Sequence, residues 1–222
     1  MKVVNCITPP KWYKTPNVQI EALRALLQNA GVYDELRTEF EQCAARIPAF
    51  NIASPTQTLI LAFYLPDKNG KTGLQRTMQV LWDSVTGAKN LKISLDMLHL
   101  APDYNWTPVV RWILFDHNAS YSISGKNALK IAAECGKQCV TVEPLIIAAT
   151  NRDYVNAWSI FGNGSTPYPY MSGIQFGYKA DDARNVYTPY LIRDGRELKL
   201  GAIESDYRCL TSTTPTLRAL TG

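Results

Sequence analysis

The chain has 222 residues, of which 46% are hydrophobic and 19% are charged, and its formal net charge is +4. This apolar content is enough for one sizeable core and excludes an intrinsically disordered chain. Lys and Arg residues are spread along the sequence without a run, so neither a nucleic-acid partner nor an anionic membrane surface is expected.

The sequence contains no clear signal for a signal peptide, a membrane-spanning helix or a metal site. The apolar run Leu59–Leu65 is far shorter than the ~20 residues that a membrane-spanning helix requires. The opening MKVVNCITPPKWYK has too short an apolar stretch for a signal peptide, so the expected location is the cytoplasm. Five cysteines at irregular spacings do not indicate a disulfide framework. Cys135 and Cys139 lack a second pair, and no HExxH pattern occurs, so we predict no metal site and no cofactor.

The first half of the chain is predicted to be mainly helical. Residues 1–15 contain prolines and are expected to form an extended arm. Thr15 and Pro16 then supply a cap and a proline at the first helical position, and Gly31 can close this helix. A second stripe of apolar residues at helical spacing begins at Tyr33 and must end before Pro48. These two segments predict an antiparallel helix pair.

Two further segments open with the capping-box spacing, in which Ser or Thr is followed three residues later by Gln. Ser54 and Gln57 predict a helix through the apolar run TLILAFYL, although that composition also suits a buried strand. Thr72 and Gln75 predict another helix. The alternation of apolar and polar residues over 91–97 indicates a strand.

The segment Trp106–Phe115 is the best candidate for an interior strand. Both rows of its alternating side chains are mostly apolar, which is typical of a strand covered on two faces. The charged exception is Arg111. Asp116, His117 and Asn118 follow, and we expect them to form a turn by which the chain leaves the sheet.

The sequence as a whole predicts a single α+β domain over residues 1–222. Its helical N-terminal half is expected to pack on a mixed or antiparallel sheet contributed mainly by the central strand and the C-terminal third. The later elements predicted are a helix from Ser124, a helix over 142–157, strands at Ile174–Tyr178 and Tyr190–Arg193, a hairpin turn at Asp194-Gly195 and a loose Thr-rich tail over 211–222.

Asp116 and His117 are the candidate catalytic residues, because a carboxylate beside a histidine at a strand end can orient a general base. Adjacent residues of a strand point to opposite faces, so a turn without a catalytic role is the simpler interpretation. Asn118 is a candidate binding residue at the same place.

Arg111 is a second candidate binding residue. Arginine cannot lose its proton, so a buried guanidinium requires a carboxylate partner. Glu204 or Asp206 is the preferred partner, and Glu143 is a third possibility. If the face opens onto a cleft, Arg111 would hold an anionic ligand instead.

The Gly- and Pro-rich segment after residue 157 carries three more candidate binding residues, Trp158, Tyr168 and Tyr170. Such aromatics can form a platform for sugars, bases or peptides, or a lid on the core. No complete catalytic set accompanies them, so the sequence favours a non-catalytic domain that binds a protein or a small molecule. The alternative is a small hydrolase or transferase with Asp116 and His117 in a cleft. Oligomeric state is not indicated.

Overall fold

The computed structural model describes residues 14–50, 57–85, 94–101, 104–121, 124, 127, 130, 134, 137–151, 168–169, 171, 174–176, 187–194, 197–204 and 212–220. Over these ranges the chain forms helices and two sheets, and the predicted α+β class is confirmed.

The helices are α1 (Pro16–Asn29), α2 (Tyr33–Ala45), α3 (Gly73–Ser84) and α4 (Glu143–Thr150). The strands are β1 (Gln57–Tyr64), β2 (Leu98–Leu100), β3 (Val109–Tyr121), β4 (Gln138–Cys139), β5 (Tyr168–Pro169), β6 (Ile174–Phe176), β7 (Tyr187–Asp194), β8 (Glu197–Glu204) and β9 (Ser212–Ala219).

In the first sheet, β3 lies between β1 and β9, and the other edge of β9 pairs with β4 and β5. The second sheet has the order β2-β6-β7-β8. The pairings are antiparallel except for the short parallel pairing of β5 with β9. The central strand and the C-terminal third therefore supply most strands, as predicted, and β1 and β2 add two from the N-terminal half.

The first two predicted helices are confirmed as α1 and α2. Pro16 is the first residue of α1, where its missing N–H would have no helical partner. Gly31 has a φ of 69° in the turn between the helices, a conformation that glycine adopts without strain. Ile20, Leu23 and Leu27 form the buried face of α1, which packs on β1.

The helix predicted after Ser54 is wrong, because this segment forms β1. Residues Thr58–Tyr64 are all buried, so a helix here would have no side to turn toward water. As a strand, the run pairs with β3 over its whole length. Its outer edge is covered by Gln19 of α1, whose side-chain amide donates to the Leu59 carbonyl at 2.8 Å.

The second capping box is confirmed at the start of α3. Thr72 Oγ1 accepts a hydrogen bond from the Gln75 N–H at 3.2 Å, and the Gln75 side chain accepts one from the Thr72 N–H at 3.0 Å. Thr15 occupies the same position before α1, but its side chain makes no capping bond. Both threonines thus occupy the N-cap position of a helix, but only Thr72 makes a capping hydrogen bond.

We expect Thr72→Ala to lower the free energy of unfolding by about 1 kcal/mol, because an N–H in the first turn of α3 loses its acceptor. Thr15→Ala is the control and should change stability much less, since no capping bond is removed. Urea denaturation of both variants measures the difference. Equal losses in the two variants would show that the capping bond of Thr72 does not stabilise α3.

The first sheet is covered on both faces. Trp112 of β3 points toward α2, where its indole N–H donates to the Cys43 carbonyl at 2.8 Å. Tyr64 of β1 points toward α4, where its hydroxyl donates to the carboxyl of Glu143. Leu61 lies opposite Trp112, and Tyr64 is three residues further along β1, which places the two side chains on opposite faces. The central strand is therefore interior, as predicted.

The bounds predicted for the central strand need correction at both ends. The strand begins at Val109 instead of Trp106, whose indole N–H donates to the Leu65 carbonyl at 2.9 Å. The turn predicted at Asp116-His117-Asn118 is wrong, since β3 continues to Tyr121. The polar residues stay in the sheet because β9 runs beside them.

The tail predicted at residues 211–222 is also wrong where the structure describes it. Residues 212–219 form β9, which has β3 on one side and β4 and β5 on the other. Its β-branched threonines suit a strand as well as a loop. The predicted extended arm falls almost entirely in residues 1–13, outside the described part of the chain.

The structure describes the helices predicted from Ser124 and over 142–157 only in part. Of the helix predicted from Ser124, residues 127, 130 and 134 are helical, and the Ser124 hydroxyl accepts from the Asn127 N–H at 3.3 Å. α4 ends at Thr150, well before the predicted residue 157, and Asn151 is already extended.

Two further predictions concern the strand over 91–97 and the hairpin near residue 194. The strand predicted over 91–97 is wrong at its end, where Leu95–Met97 forms a 3₁₀ turn before β2. The predicted hairpin is confirmed by the antiparallel pairing of β7 with β8. The predicted position of its turn, Asp194-Gly195, is wrong, because Asp194 still belongs to β7 and pairs with Glu197.

Candidate functional site

The ladder between β3 and β9 is interrupted where the predicted catalytic residues lie. Between the paired positions Asp116 and Ser120, residues 117–119 of β3 face the single residue Pro215 of β9. Proline has no N–H to donate, and inside a sheet it is confined to edges and bulges. The bulge in β3 therefore explains how an interior strand accommodates Pro215.

The same end of the first sheet holds one of the predicted aromatic residues. Tyr168 of β5 pairs with Ser212 on the edge of β9 that faces away from β3. On the β3 edge, Tyr121 pairs with the next residue, Thr213. One strand thus separates β3 from β5, a distance of about 10 Å. Tyr168 therefore lies beside the first residue of the β9 segment 212–216, and the bulge that contains His117 lies on the other side of its fourth residue, about 10 Å further along the strand.

Asp116 is tied into the ladder at the edge of this bulge. It is half-buried, and its Oδ2 accepts a hydrogen bond from the Gln57 side-chain amide of β1 at 3.2 Å. Gln57 is also its register partner across the β1–β3 pair. The side chains of the bulge, of Tyr168 and of β9, and the whole of the candidates Trp158 and Tyr170, lie outside what the structure describes.

Arg111 lies toward the other end of β3. Its guanidinium carbon is 5.1 Å from the centre of the Tyr64 ring, a diagonal neighbour across the β1–β3 pair. Its Nε is buried and has no hydrogen-bond partner, and no carboxylate among the described residues pairs with it within 4.0 Å. The preferred partner Glu204 lies on β8 in the second sheet, and Asp206 lies outside the described residues.

Glu143, the third predicted partner, is fully buried and bonds to other groups. One carboxyl oxygen accepts from the Tyr64 hydroxyl, and the other accepts from the Thr141 N–H at 2.5 Å. Burial raises the pKa of Glu143, although these hydrogen bonds and the charge of Arg111 act in the opposite direction. Burial and then the charge of Glu143 raise the pKa of Tyr104, while the Thr141 side chain acts in the opposite direction.

Trp106 fixes the ring on which Arg111 lies. It packs edge to face on Tyr64, with ring centres 5.2 Å apart and an interplanar angle of 86°. Gly73 makes room for this arrangement. A Cβ at that position would lie 2.5 Å from the Trp106 indole nitrogen and 2.0 Å from the Leu65 carbonyl oxygen. Any larger residue there would displace the tryptophan or the backbone.

Sequence reasoning identified Arg111 and named Glu143 among three partners, but it missed Tyr64. The available signal was chemical. A tyrosine at the end of a fully apolar strand needs an acceptor for its hydroxyl, and an acid in the apolar stretch around Glu143 needs a donor. Pairing the two requires the β1–β3 register, which the sequence does not reveal.

Other chemistries find no support in the described part of the chain. There, no group of three or more His, Cys, Asp or Glu side chains could hold a metal ion. The Cys43 thiol donates to the Val110 carbonyl at 3.0 Å, and burial raises its pKa, as is typical of an inert core thiol. Among the described residues, the structure contains no helix that is long and apolar enough to cross a membrane.

No protein-family model, curated protein sequence or solved structure matches this chain. Two places along β3 combine the candidate residues with unusual local structure. One is the bulge beside Tyr168, and the other is the Arg111 end beside Tyr64 and Glu143.

Proposed function

We propose that the chain is a non-catalytic binding domain whose contact surface is the bulged end of the first sheet. The supporting observation is the register, which puts residues 117–119 and Tyr168 on either side of the same stretch of β9. That stretch, STTPT, carries hydroxyl side chains at four of its five positions. Bulges redirect side chains and occur frequently beside functional sites.

The residue types at this surface favour a flat polar ligand. A tyrosine ring can stack on a sugar ring or a nucleobase, and histidine, asparagine and hydroxyl groups can bond to its edge. The acidic residue Asp116 at the rim disfavours a negatively charged ligand. A neutral sugar or nucleoside is therefore the expected class.

The small-enzyme alternative has weaker support. Asp116 pairs with strands on both sides, and its carboxylate accepts the hydrogen bond from Gln57. These contacts give it a structural role in the ladder. A general base oriented by Asp116 would additionally require the imidazole of His117 to lie within hydrogen-bond reach of that carboxylate.

The test removes the bulge without breaking the sheet. Deleting Asn118 and Ala119 and replacing Pro215 by Val gives β3 and β9 one uninterrupted register, and a two-residue deletion preserves the alternation of faces. We expect this variant to fold with a Tm at least equal to that of the wild type. It should lose ligand binding, because the surface that presents residues 117–119 is gone.

Saturation-transfer NMR against a panel of mono- and disaccharides and nucleosides measures the binding. Tyr168→Ala should weaken the same ligand by about tenfold or more, as expected for loss of a stacking partner. Tyr33→Leu, on the remote helix α2, is the matched control and should bind as the wild type does. The proposal fails if the wild type binds nothing in the panel, or if the bulge-deleted variant binds equally well.

A further inference from the structure

We propose that Arg111 is the binding residue for the carboxylate or phosphate group of a small anionic ligand. This site is distinct from the bulged end of the sheet. Arg111 precedes Asp116 by five residues on the same strand, which corresponds to about 17 Å.

The first observation is that the buried Nε–H of Arg111, part of a permanently charged guanidinium, has no hydrogen-bond acceptor. The Nε of Arg111 is the one buried side-chain nitrogen or oxygen, among the described residues, that has no hydrogen-bond partner. Buried N–H groups are nearly always paired, because leaving one unpaired forfeits its solvation. Arginine cannot relieve this by deprotonation. An acceptor is therefore expected at this position.

The described neighbours of Arg111 do not supply that acceptor. The two carboxyl oxygens of Glu143 bond to Tyr64 and Thr141, and no ion pair between Arg111 and another described residue forms within 4.0 Å. Tyr64 presents its ring face to the guanidinium. β9 as described reaches β3 no further than Trp112, whose carbonyl accepts from the Leu220 N–H at 3.1 Å.

The guanidinium is reachable and already oriented. Arg111 as a residue is only partly buried, so an external molecule can approach it, but the Nε is buried and a ligand must displace the groups that cover this atom to bond with it. The Tyr64 ring beneath it is fixed by its own hydroxyl bond to Glu143 and by the edge of Trp106. A guanidinium held in this way loses little freedom on binding, and its planar fork matches two oxygens of a carboxylate or phosphate.

The test titrates the full-length chain with two probe anions, inorganic phosphate and acetate, at constant ionic strength set with chloride. The ¹⁵N resonance of the Arg111 Nε–H reports on the site in the wild type, and the backbone amide resonances of Tyr64 and Trp112 report on it in the variants that lack this group. We expect a saturable shift of this resonance with at least one probe. Saturation by phosphate alone identifies a phosphate-bearing ligand, and saturation by acetate alone identifies a carboxylate.

Two variants distinguish the contribution of the planar guanidinium to anion binding from the contribution of its positive charge. Arg111→Lys keeps the positive charge but loses the planar fork, and we expect it to weaken binding by about tenfold or more. Arg111→Met should abolish binding. Arg37 is the matched control, since it also lies over a tyrosine ring, at 5.5 Å from Tyr33, but is exposed and paired with Asp34. Arg37→Met should bind the probe as the wild type does.

Three outcomes would overturn the proposal. One is an Nε–H resonance of Arg111 that does not move at high concentrations of either probe, a result that needs no variant. Another is a non-saturable shift of the Tyr64 and Trp112 backbone amides that has equal size in the wild type and in Arg111→Lys, which would indicate screening of surface charge. The third is unchanged affinity in Arg111→Met, with its fold verified by near-UV circular dichroism.

Discussion

A chain that ends at residue 211 is expected not to fold. Its truncation removes β9, which pairs with β3 on one edge and with β4 and β5 on the other. β3 would then lose a neighbour from Ile113 onward, and buried N–H and C=O groups would lose their partners. Each such group costs roughly 1–3 kcal/mol, so a few of them exhaust the ~5–15 kcal/mol that stabilises a typical domain. Far-UV circular dichroism and amide hydrogen exchange measure the result.

A chain that ends at Leu220 is the control and should keep the fold. It retains β9 and the bond from the Leu220 N–H to the Trp112 carbonyl. Leu217→Pro in the full chain should unfold it, since this position pairs with both Phe115 and Gln138. Slow exchange of the β3 amides in the chain ending at 211 would contradict the central place of β9.

One physical cause underlies two of the wrong sequence predictions. Pro215 and the surrounding threonines indicate a loop, and Asp116-His117-Asn118 indicates a turn. The two segments pair with each other, and the three-residue bulge in β3 accommodates the proline of β9. Each segment on its own carries loop signals. Both segments form strands only because they pair with each other across a long sequence separation. No local sequence signal indicates that pairing.

The capping boxes show the limit of local signals in another way. Ser54 with Gln57 and Thr72 with Gln75 have the same spacing, but only the second begins a helix. What separates them is the following segment. α3 alternates buried and partly exposed residues at helical spacing, whereas β1 is buried from Thr58 to Tyr64. The helices α1 and α2 were predictable from their polar faces and the β7–β8 hairpin from its turn residues, because these signals are local.

The candidate site was predictable to a similar extent. The arginine among apolar strand residues was predicted to pair with a carboxylate, and no described carboxylate lies within 4.0 Å of it. Its relation to Glu143 runs through Tyr64, whose ring contacts the guanidinium and whose hydroxyl contacts the carboxyl. These two contacts of Tyr64 depend on the register of β1 against β3 and on the position of α4. Neither can be obtained from residue types alone.

Glu143→Ala is expected to lower the free energy of unfolding by about 2–4 kcal/mol. The Tyr64 hydroxyl and the Thr141 N–H would both remain buried without their acceptor, and each unmet group costs roughly 1–3 kcal/mol. Glu143→Gln should cost less, because the amide keeps the volume and one acceptor oxygen. Chemical denaturation at a fixed pH measures both losses.

The pH dependence of stability follows from the raised pKa of Glu143. Above the ordinary value of 4.5, the unfolded chain has released this proton while the folded chain still holds it. Raising the pH then favours unfolding until the folded pKa is passed. The stability of the wild type relative to Glu143→Gln should therefore fall as the pH rises above 4.5, by up to about 1.4 kcal/mol per pH unit. Below that pH the difference should be constant.

Glu35→Gln provides a control of opposite sign. Burial acts to raise the pKa of Glu35, but hydrogen bonds from Arg76 at 2.8 Å and Lys68 at 3.0 Å outweigh it and lower the pKa. Its contribution is present above 4.5 and is lost as the pH falls. The stability of the wild type relative to Glu35→Gln should thus rise with pH. If the difference for Glu143→Gln also rises with pH, the buried carboxyl is ionised more readily in the folded chain than in the unfolded one. Its hydrogen bonds from Tyr64 and Thr141 would then outweigh its burial.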